Sequence, residues 1–406
     1  MVTGKDHTPN GLEHFTLTAA PSAKSSIDSL FAAFSFGKAV STFSENALAR
    51  FCAAVPGPAR PSRSTHTRAK SSIVHAPSAG RTAGPPQNRT RVAIPLIALT
   101  GATGFIGQHL LRRLPVYGHR VRVLLRRPAD AALGAASAVI GDLTRPRNMS
   151  AALEGVEAVI HSAGLAHTAT GQPESDYRQL NTEATVALGQ AAQRAGVRRF
   201  VFLSSIRAQT GPTAADVVTE ERAPQPTDAY GRSKLAAEQG LAGLDIDWVA
   251  LRPVLVYGHG VKGNMAKLMQ LARSPYPLPF AGLAARRSLL SLDNLTSAIA
   301  AVLAADGRMC RPFIVTDAGP LTIGEMIVAM RAGLGRKPRL VPMPELLLRV
   351  AFQAARRQEA YERLAGSLVA DASALRRLGW TPAVRTVDAL ADLMRDESRQ
   401  RAFWPS

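Results

Sequence analysis

The chain has 406 residues, 46% of them apolar and 5% aromatic, with a formal net charge of +19. That length supports one large or two smaller domains with a sizeable core, and no charge-free apolar run is long enough to span a bilayer. The two cysteines, Cys52 and Cys310, lie far apart, which indicates neither a disulfide framework nor a metal site and fits a reducing, cytoplasmic setting. The arginines are scattered without aromatic interleaving, so the charge reads as a solvated basic surface rather than a nucleic-acid interface.

Residues 1–91 differ from the rest. From Pro56 to Arg91 the chain is rich in Pro, Ser, Arg, Thr and Gly, a composition that cannot build a core. Upstream, Ile27, Leu30, Phe31 and Phe34 have helical spacing and predict one short amphipathic helix. Asp6, Glu13, Asp28 and Glu45 argue against a targeting peptide. The segment reads as a disordered extension. Because the next methionine after Met1 is Met149, inside the expected fold, translated upstream sequence with a start near Val74 or Val92 is a second reading.

From Pro95 onward, alternating strand and helix patterns predict a doubly wound, Rossmann-like parallel sheet. Residues 96–99 read as a buried strand. Residues 105–114 read as a helix with an apolar stripe at Ile106, Leu110, Leu111 and Leu114. Between them Gly101, Gly104 and Gly107 allow a sharp turn, close approach of a pyrophosphate and tight helix packing. The helix start then presents free N–H groups and a positive dipole end to phosphates. Further strands are expected at 121–125, 138–140, 158–161, 200–203 and 248–251, with helices at 183–195 and around Lys234. After about Gly258 the alternation decays into shorter helices and loops. The plan is therefore a dinucleotide-binding domain over 92–258 and, over 259–406, mainly a smaller substrate-binding lobe with C-terminal helices.

Tyr230 and Lys234 stand one helical turn apart, on one face. A free phenol titrates near pH 10, too high for a base at neutral pH. A fixed ammonium nearby, with the positive ring of an oxidised nicotinamide, would lower it and suit it to proton transfer at a sugar hydroxyl. The spacing alone also occurs on ordinary helix faces. Ser204 and Ser205 close the strand ending at Leu203, where a hydroxyl can orient a reacting oxygen or simply cap a helix. Ser205 is the better candidate. Thr322 and Glu325 have capping-box spacing and predict a helix start.

From about Pro95 to Leu393 the chain resembles the extended short-chain dehydrogenase/reductases, the family of nucleotide-sugar epimerases, dehydratases and reductases. The resemblance implies that Gly101, Thr103, Gly104, Phe105, Ile106 and Gly107 bind the cofactor phosphates and that Asp142 and Leu143 meet the adenine. It implies that Ser162, Ala163 and Gly164 line the cofactor, with Asn181 as the structural asparagine and Pro253 in the wall beside the nicotinamide. Ser205, Tyr230 and Lys234 match the catalytic set, and the latter two also reach the cofactor. Ser205, Arg207, Asn264 and Arg287 become the substrate contacts, Arg287 gripping a pyrophosphate.

Three departures narrow the choice. Ile206 and Arg207 stand where dehydratases carry an Asp-Glu pair. Leu255 stands where many 4-epimerases carry asparagine. Arg126 and Arg127 follow the second strand, where NAD-preferring members place an acidic residue, and suit the 2′-phosphate of NADP. The stretches 364–371 and 378–382 look most like UDP-N-acetylquinovosamine dehydrogenases, which act as 4-keto-sugar reductases. The resemblance thus implies an NAD(P)-dependent reductase of a nucleotide-linked 4-keto sugar, NADP preferred, serving surface polysaccharide synthesis as a homodimer. A UDP-hexose 4-epimerase with tightly held NAD is the alternative, and a non-catalytic cofactor-binding protein a remote one.

Overall fold

The computed structural model describes residues 94–128, 135–166, 172–354, 356 and 358–403. The expected extension over 1–91, its short helix and Cys52 lie outside the described residues.

The first half alternates strand and helix: β1 (Leu96–Thr100), α1 (Phe105–Arg113), β2 (Arg120–Leu125), β3 (Ala136–Val139), α2 (Met149–Leu153), β4 (Ala158–His161), α3 (Glu174–Tyr177), α4 (Ala184–Arg194), β5 (Arg199–Leu203), α5 (Ala229–Ala242) and β6 (Asp247–Pro253). A wider helical turn, Arg178–Glu183, links α3 to α4. Beyond Pro253 follow β7 (Leu255–Tyr257), α6 (Gly263–Arg273), β8 (Arg286–Arg287), β9 (Leu289–Ser291), α7 (Leu292–Ala304), β10 (Arg311–Val315) and β11 (Leu321–Thr322). The chain ends with α8 (Ile323–Gly333), α9 (Glu345–Ala354), α10 (Gln358–Ala365), α11 (Ser373–Arg376) and α12 (Thr386–Phe403).

Seven strands form one parallel sheet in the order β10-β6-β5-β4-β1-β2-β3. Its centre is buried on both faces, which is why β4, β5 and β6 are apolar almost throughout. Strand order reverses between β1 and β4, where Thr100 pairs with His161. A crevice opens there, outside the carboxyl ends of the strands. The described residues beyond Gly258 do not simply decay into short pieces. Helices α7 and α12 run to 13 and 18 residues, and β10 returns from this segment to pair with β6. Single-strand patterning does not reveal that pairing, since only the sheet edge left by β6 gives residues 311–315 a partner.

A second apolar cluster, including Met265, Met269, Phe280, Ile327, Met330, Phe352, Leu390 and Met394, packs the later helices. Helix α8 starts on the expected capping box. The Thr322 hydroxyl accepts from Glu325 N at 3.1 Å, and the Glu325 carboxylate accepts from Thr322 N at 2.8 Å. The basic character is not all solvated surface. Arg199, fully buried, donates to Asp247 at 2.6 Å and to the Val302, Ala305 and Gly307 carbonyls, satisfying the C-terminal end of α7.

Candidate active site

The glycine loop after β1 is built for close approach. Gly101 has φ +70°, and a Cβ there would lie 2.6 Å from Ala163 N, in the loop after β4. A Cβ on Gly107 would collide with the Gly101 carbonyl oxygen. Gly104 N donates to that same oxygen at 3.0 Å, shaping the turn into α1. The first amides of α1 have no acceptor within the helix, so the loop fits a dinucleotide pyrophosphate. Thr103 and Gly104 are exposed and Phe105 and Ile106 half-buried along this entry.

Beneath the loop runs a hydrogen-bond chain whose polarity can be worked out. The Thr185 hydroxyl donates to Asn181 O at 2.7 Å, so it must accept from His161 Nε2 at 3.0 Å. Nδ1 of His161 then accepts from the Thr100 hydroxyl at 2.7 Å, whose oxygen accepts from Ala163 N at 3.2 Å. Burial pushes this imidazole down to about 3, helped by the Lys234 charge, so it is neutral. The chain couples the loops after β1 and β4 to the wide helical turn. There Asn181 is fully buried, accepting from Leu165 N at 2.7 Å and donating to Leu165 O and Ser233 Oγ at 3.1 Å. Gly164 has no room for a Cβ, which would stand 2.9 Å from Asn181 Oδ1 and 3.3 Å from Lys234 Nζ.

At the adenosine end, Asp142 accepts from Thr144 N at 2.8 Å and from the Thr144 hydroxyl at 2.7 Å. These bonds, with Arg126 and Arg145 nearby, hold its carboxyl below the usual range. The arginine expected at the ribose is therefore electrostatically coupled to the aspartate expected at the adenine. Arg126 and Arg127 are both exposed just past β2, and Leu143 is half-buried.

Ser205, Tyr230 and Lys234 meet at the ends of β5 and β6. Ser205 caps the short turn Ile206–Ala208, accepting from Arg207 N at 3.1 Å, and its hydroxyl hydrogen-bonds the Tyr230 phenol. Ser204 points away, to Glu238. Lys234 is buried, donates to Leu203 O at 2.9 Å, and lies 4.5 Å from the Phe202 ring centroid and 5.9 Å from that of Tyr230. Burial pulls Lys234 down to about 8, against the opposing charge of Glu238.

The Lys234 ammonium by itself does not lower the Tyr230 phenol. Burial pushes it up to about 12, with Asp228 adding to the rise and Ser205 and Arg207 opposing it. Lys234 anchors to a carbonyl instead of the phenol oxygen, and the desolvation of a phenolate dominates. The phenol is therefore protonated at neutral pH.

Sequence reasoning missed the residues that hold this group. Asp228 caps α5, its Oδ1 accepting from Gly231 N at 2.7 Å, while Oδ2 takes the Arg207 guanidinium. An Asp just before an expected helix is the signal that could have found it. Glu238, one turn past Lys234, forms a buried bidentate pair with Arg252, which also donates to Gln209. Pro253 is buried at the end of β6. Asn264 is exposed in the first turn of α6. Arg287 is half-buried and donates to the carbonyls of Pro212 and Arg363, lacing β8 to a loop and to α10. Among the described residues no cluster of His, Cys, Asp and Glu could hold a metal, and no helix is long and apolar enough to cross a membrane.

The NAD dependent epimerase/dehydratase family model matches residues 97–311. The chain belongs to that family. It is an enzyme of the extended short-chain dehydrogenase/reductase type, the class that the glycine loop and the Ser205, Tyr230 and Lys234 set already indicated. It is 32% identical over 297 residues to a Vibrio cholerae protein named UDP-glucose 4-epimerase, covering 70% of this chain and 90% of that one. It is 29% identical over 260 residues to the ceramide reductase of Caulobacter vibrioides, covering 62% and 74%. Among solved structures, MoeE5 in complex with UDP-glucose and NAD superposes with a TM-score of 0.59 at 26% identity, over 75% of this chain and 99% of that one.

Proposed function

We propose that this enzyme reduces the C4 carbonyl of a nucleotide-linked 4-keto sugar at the expense of NADPH. The observation that carries the reading is the meeting of a protonated Tyr230, hydrogen-bonded to Ser205, with the glycine cradle at the switch point of one sheet. Gly101, Gly104, Gly107 and the start of α1 would hold the pyrophosphate, Asp142 and Leu143 the adenine, and Ser162, Ala163, Gly164 and Pro253 the nicotinamide half. When bound, the cofactor supplies the hydride. Ser205 orients the carbonyl oxygen by hydrogen bonding, and Tyr230 donates its phenolic proton to that oxygen. Lys234 keeps two of its three protons free for a ribose hydroxyl, one being given to Leu203 O.

A phenol that burial holds protonated can give its proton to a carbonyl oxygen, as reduction requires, and one observation favours reduction over epimerisation. Leu255, exposed at the start of β7, offers no hydrogen bond to a sugar intermediate that must be held while it rotates. Arg126 and Arg127 supply two guanidinium groups for a 2′-phosphate. MoeE5, which has been captured with UDP-glucose and NAD, supports a nucleotide sugar as the substrate.

The second reading is a 4-epimerase, favoured by the Vibrio cholerae relative. Incubating the enzyme with a UDP-linked 4-keto-6-deoxyhexose and NADPH separates the two. Equimolar loss of NADPH and of the keto sugar supports the reductase. Interconversion of UDP-glucose and UDP-galactose without net cofactor change, and no NADPH loss, overturns it in favour of the epimerase. The same resemblance makes a homodimer the expected assembly, which light scattering checks.

A further inference from the structure

Helix α9 is apolar on two opposite faces. Leu348 and Phe352 are buried in the second core, with the Phe352 and Tyr361 ring centroids 6.1 Å apart. At about 100° per residue, Leu346, Leu347 and Val350 fall on the other side, and they are 69%, 58% and 51% exposed. A single exposed leucine is ordinary, but three such side chains sharing one helix face are not. The helix itself does not require them, since Lys, Gln or Glu would form it as readily.

The segments before α9 add to this surface. Val341, four residues ahead of the helix, and Tyr276 are both exposed. Their loops are tied together: Leu278 N donates to Arg339 O and Val341 N to Leu278 O, each at 3.0 Å, and Arg339 Nη1 donates to Pro275 O at 2.9 Å. Beneath them the buried Arg331 donates to the carbonyls of Ser274, Tyr276 and Arg339. The exposed side chains therefore stand on a fixed platform.

The charge here is mainly of one sign. From 335 to 365 the sequence holds seven basic and three acidic residues. Lys337, Arg339 and Arg349 are exposed, and the Glu345 carboxylate accepts from the Tyr361 hydroxyl at 2.8 Å. Apolar side chains among cations suit a bilayer surface with anionic headgroups, the leucines entering the acyl boundary while the cations meet phosphates. A tyrosine such as Tyr276, apolar in body and polar at its tip, settles at that depth. With 10 residues, α9 is long enough to lie in such a surface and too short to cross it. A second copy fits less well, because a two-fold contact would set the same cations against each other.

We propose that α9 and the loops carrying Tyr276 and Val341 dock this enzyme on an anionic lipid surface. The proposal holds for either reading of the reaction.

The test is co-sedimentation of the full-length chain with vesicles of phosphatidylcholine alone and of equal parts phosphatidylcholine and phosphatidylglycerol. The parent should bind the mixed vesicles about tenfold or more tighter, and high salt should weaken that binding. Leu346→Gln, Leu347→Gln and Val350→Gln together should weaken it about tenfold or more, with the thermal midpoint of the parent retained. Lys337→Gln and Arg349→Gln should each weaken it roughly fivefold. A triple variant that binds like the parent would assign vesicle binding to the overall positive charge of the chain and overturn the proposal. A parent that ignores the mixed vesicles, or binds both kinds equally, would also overturn it. So would a parent dimer, seen by light scattering, that the triple variant breaks, since the face would then belong to a second copy.

Discussion

Gly231 lies directly against the carbonyl oxygen of Arg207. A Cβ at this position would collide with that oxygen and come within 3.1 Å of Asp228 Oδ1. The helix bearing Tyr230 and Lys234 can seat on the Ser205 turn only because the residue between them has no side chain.

Gly231→Ala should therefore push the start of α5 off that turn. Overpacking of this kind costs roughly 1–3 kcal/mol, which for a chain this size lowers Tm by about 2–4 °C per kcal/mol. Turnover should fall by more than the stability loss explains, because Ser205 and Tyr230 separate. Thermal melts and kcat on the same sample check this. An unchanged kcat would show that the contact does not set the geometry.

Tyr230→Phe removes only the proton-donating oxygen. Turnover should drop about a hundred- to ten-thousandfold, while NADPH affinity, read by fluorescence, stays within a factor of two or three, on the order of a rim effect. A variant with near-normal turnover would remove Tyr230 from the chemistry.

His161 gives a pH prediction. Its folded pKa lies near 3, below the usual 6.5, so between those values the unfolded chain binds a proton that the native state refuses. Stability must then fall as pH drops from about 6.5 toward 3, by up to about 1.4 kcal/mol per pH unit from this residue. His119, also lowered by burial, acts in the same direction. Urea midpoints at pH 5.5 and 4, inside the window this shift defines, referred to pH 7 above it, should decline less steeply in His161→Asn than in the parent. Parallel declines would mean that the imidazole is already protonated in the folded state.

The two arginines after β2 bear on cofactor choice. If they receive a 2′-phosphate, the parent prefers NADPH, and Arg126→Ala with Arg127→Ala lowers that preference by roughly one to two powers of ten. The kcat/KM ratio for the two cofactors measures it. A parent that favours NADH moves weight to the epimerase reading.

The local parts of this architecture were legible in the sequence. The glycine loop, the buried strands and the Thr322–Glu325 cap each follow from spacing within a few residues. Of the two adjacent serines, Ser205 hydrogen-bonds the phenol while Ser204 turns to Glu238. What escaped notice depends on tertiary approach. Glu238 and Arg252 become partners only when α5 packs on β6. The direction of the Tyr230 shift needed the burial of its oxygen and the true anchor of Lys234, a carbonyl at the end of β5. The role of His161, sealed beneath the loop, likewise depends on Thr100 and Thr185 being brought to its two ring nitrogens.

The return of residues 311–315 to the sheet sets a timetable for the ribosome. Strand β6 is complete at Pro253, but its neighbour is not made until Val315. At roughly 5–20 residues per second, the nascent chain spends several seconds with a long apolar strand edge exposed. Such edges recruit other strands. Expression should therefore be most vulnerable to stalls or truncations between these two points, and a product ending near Gly258 should aggregate rather than persist as a free cofactor-binding half.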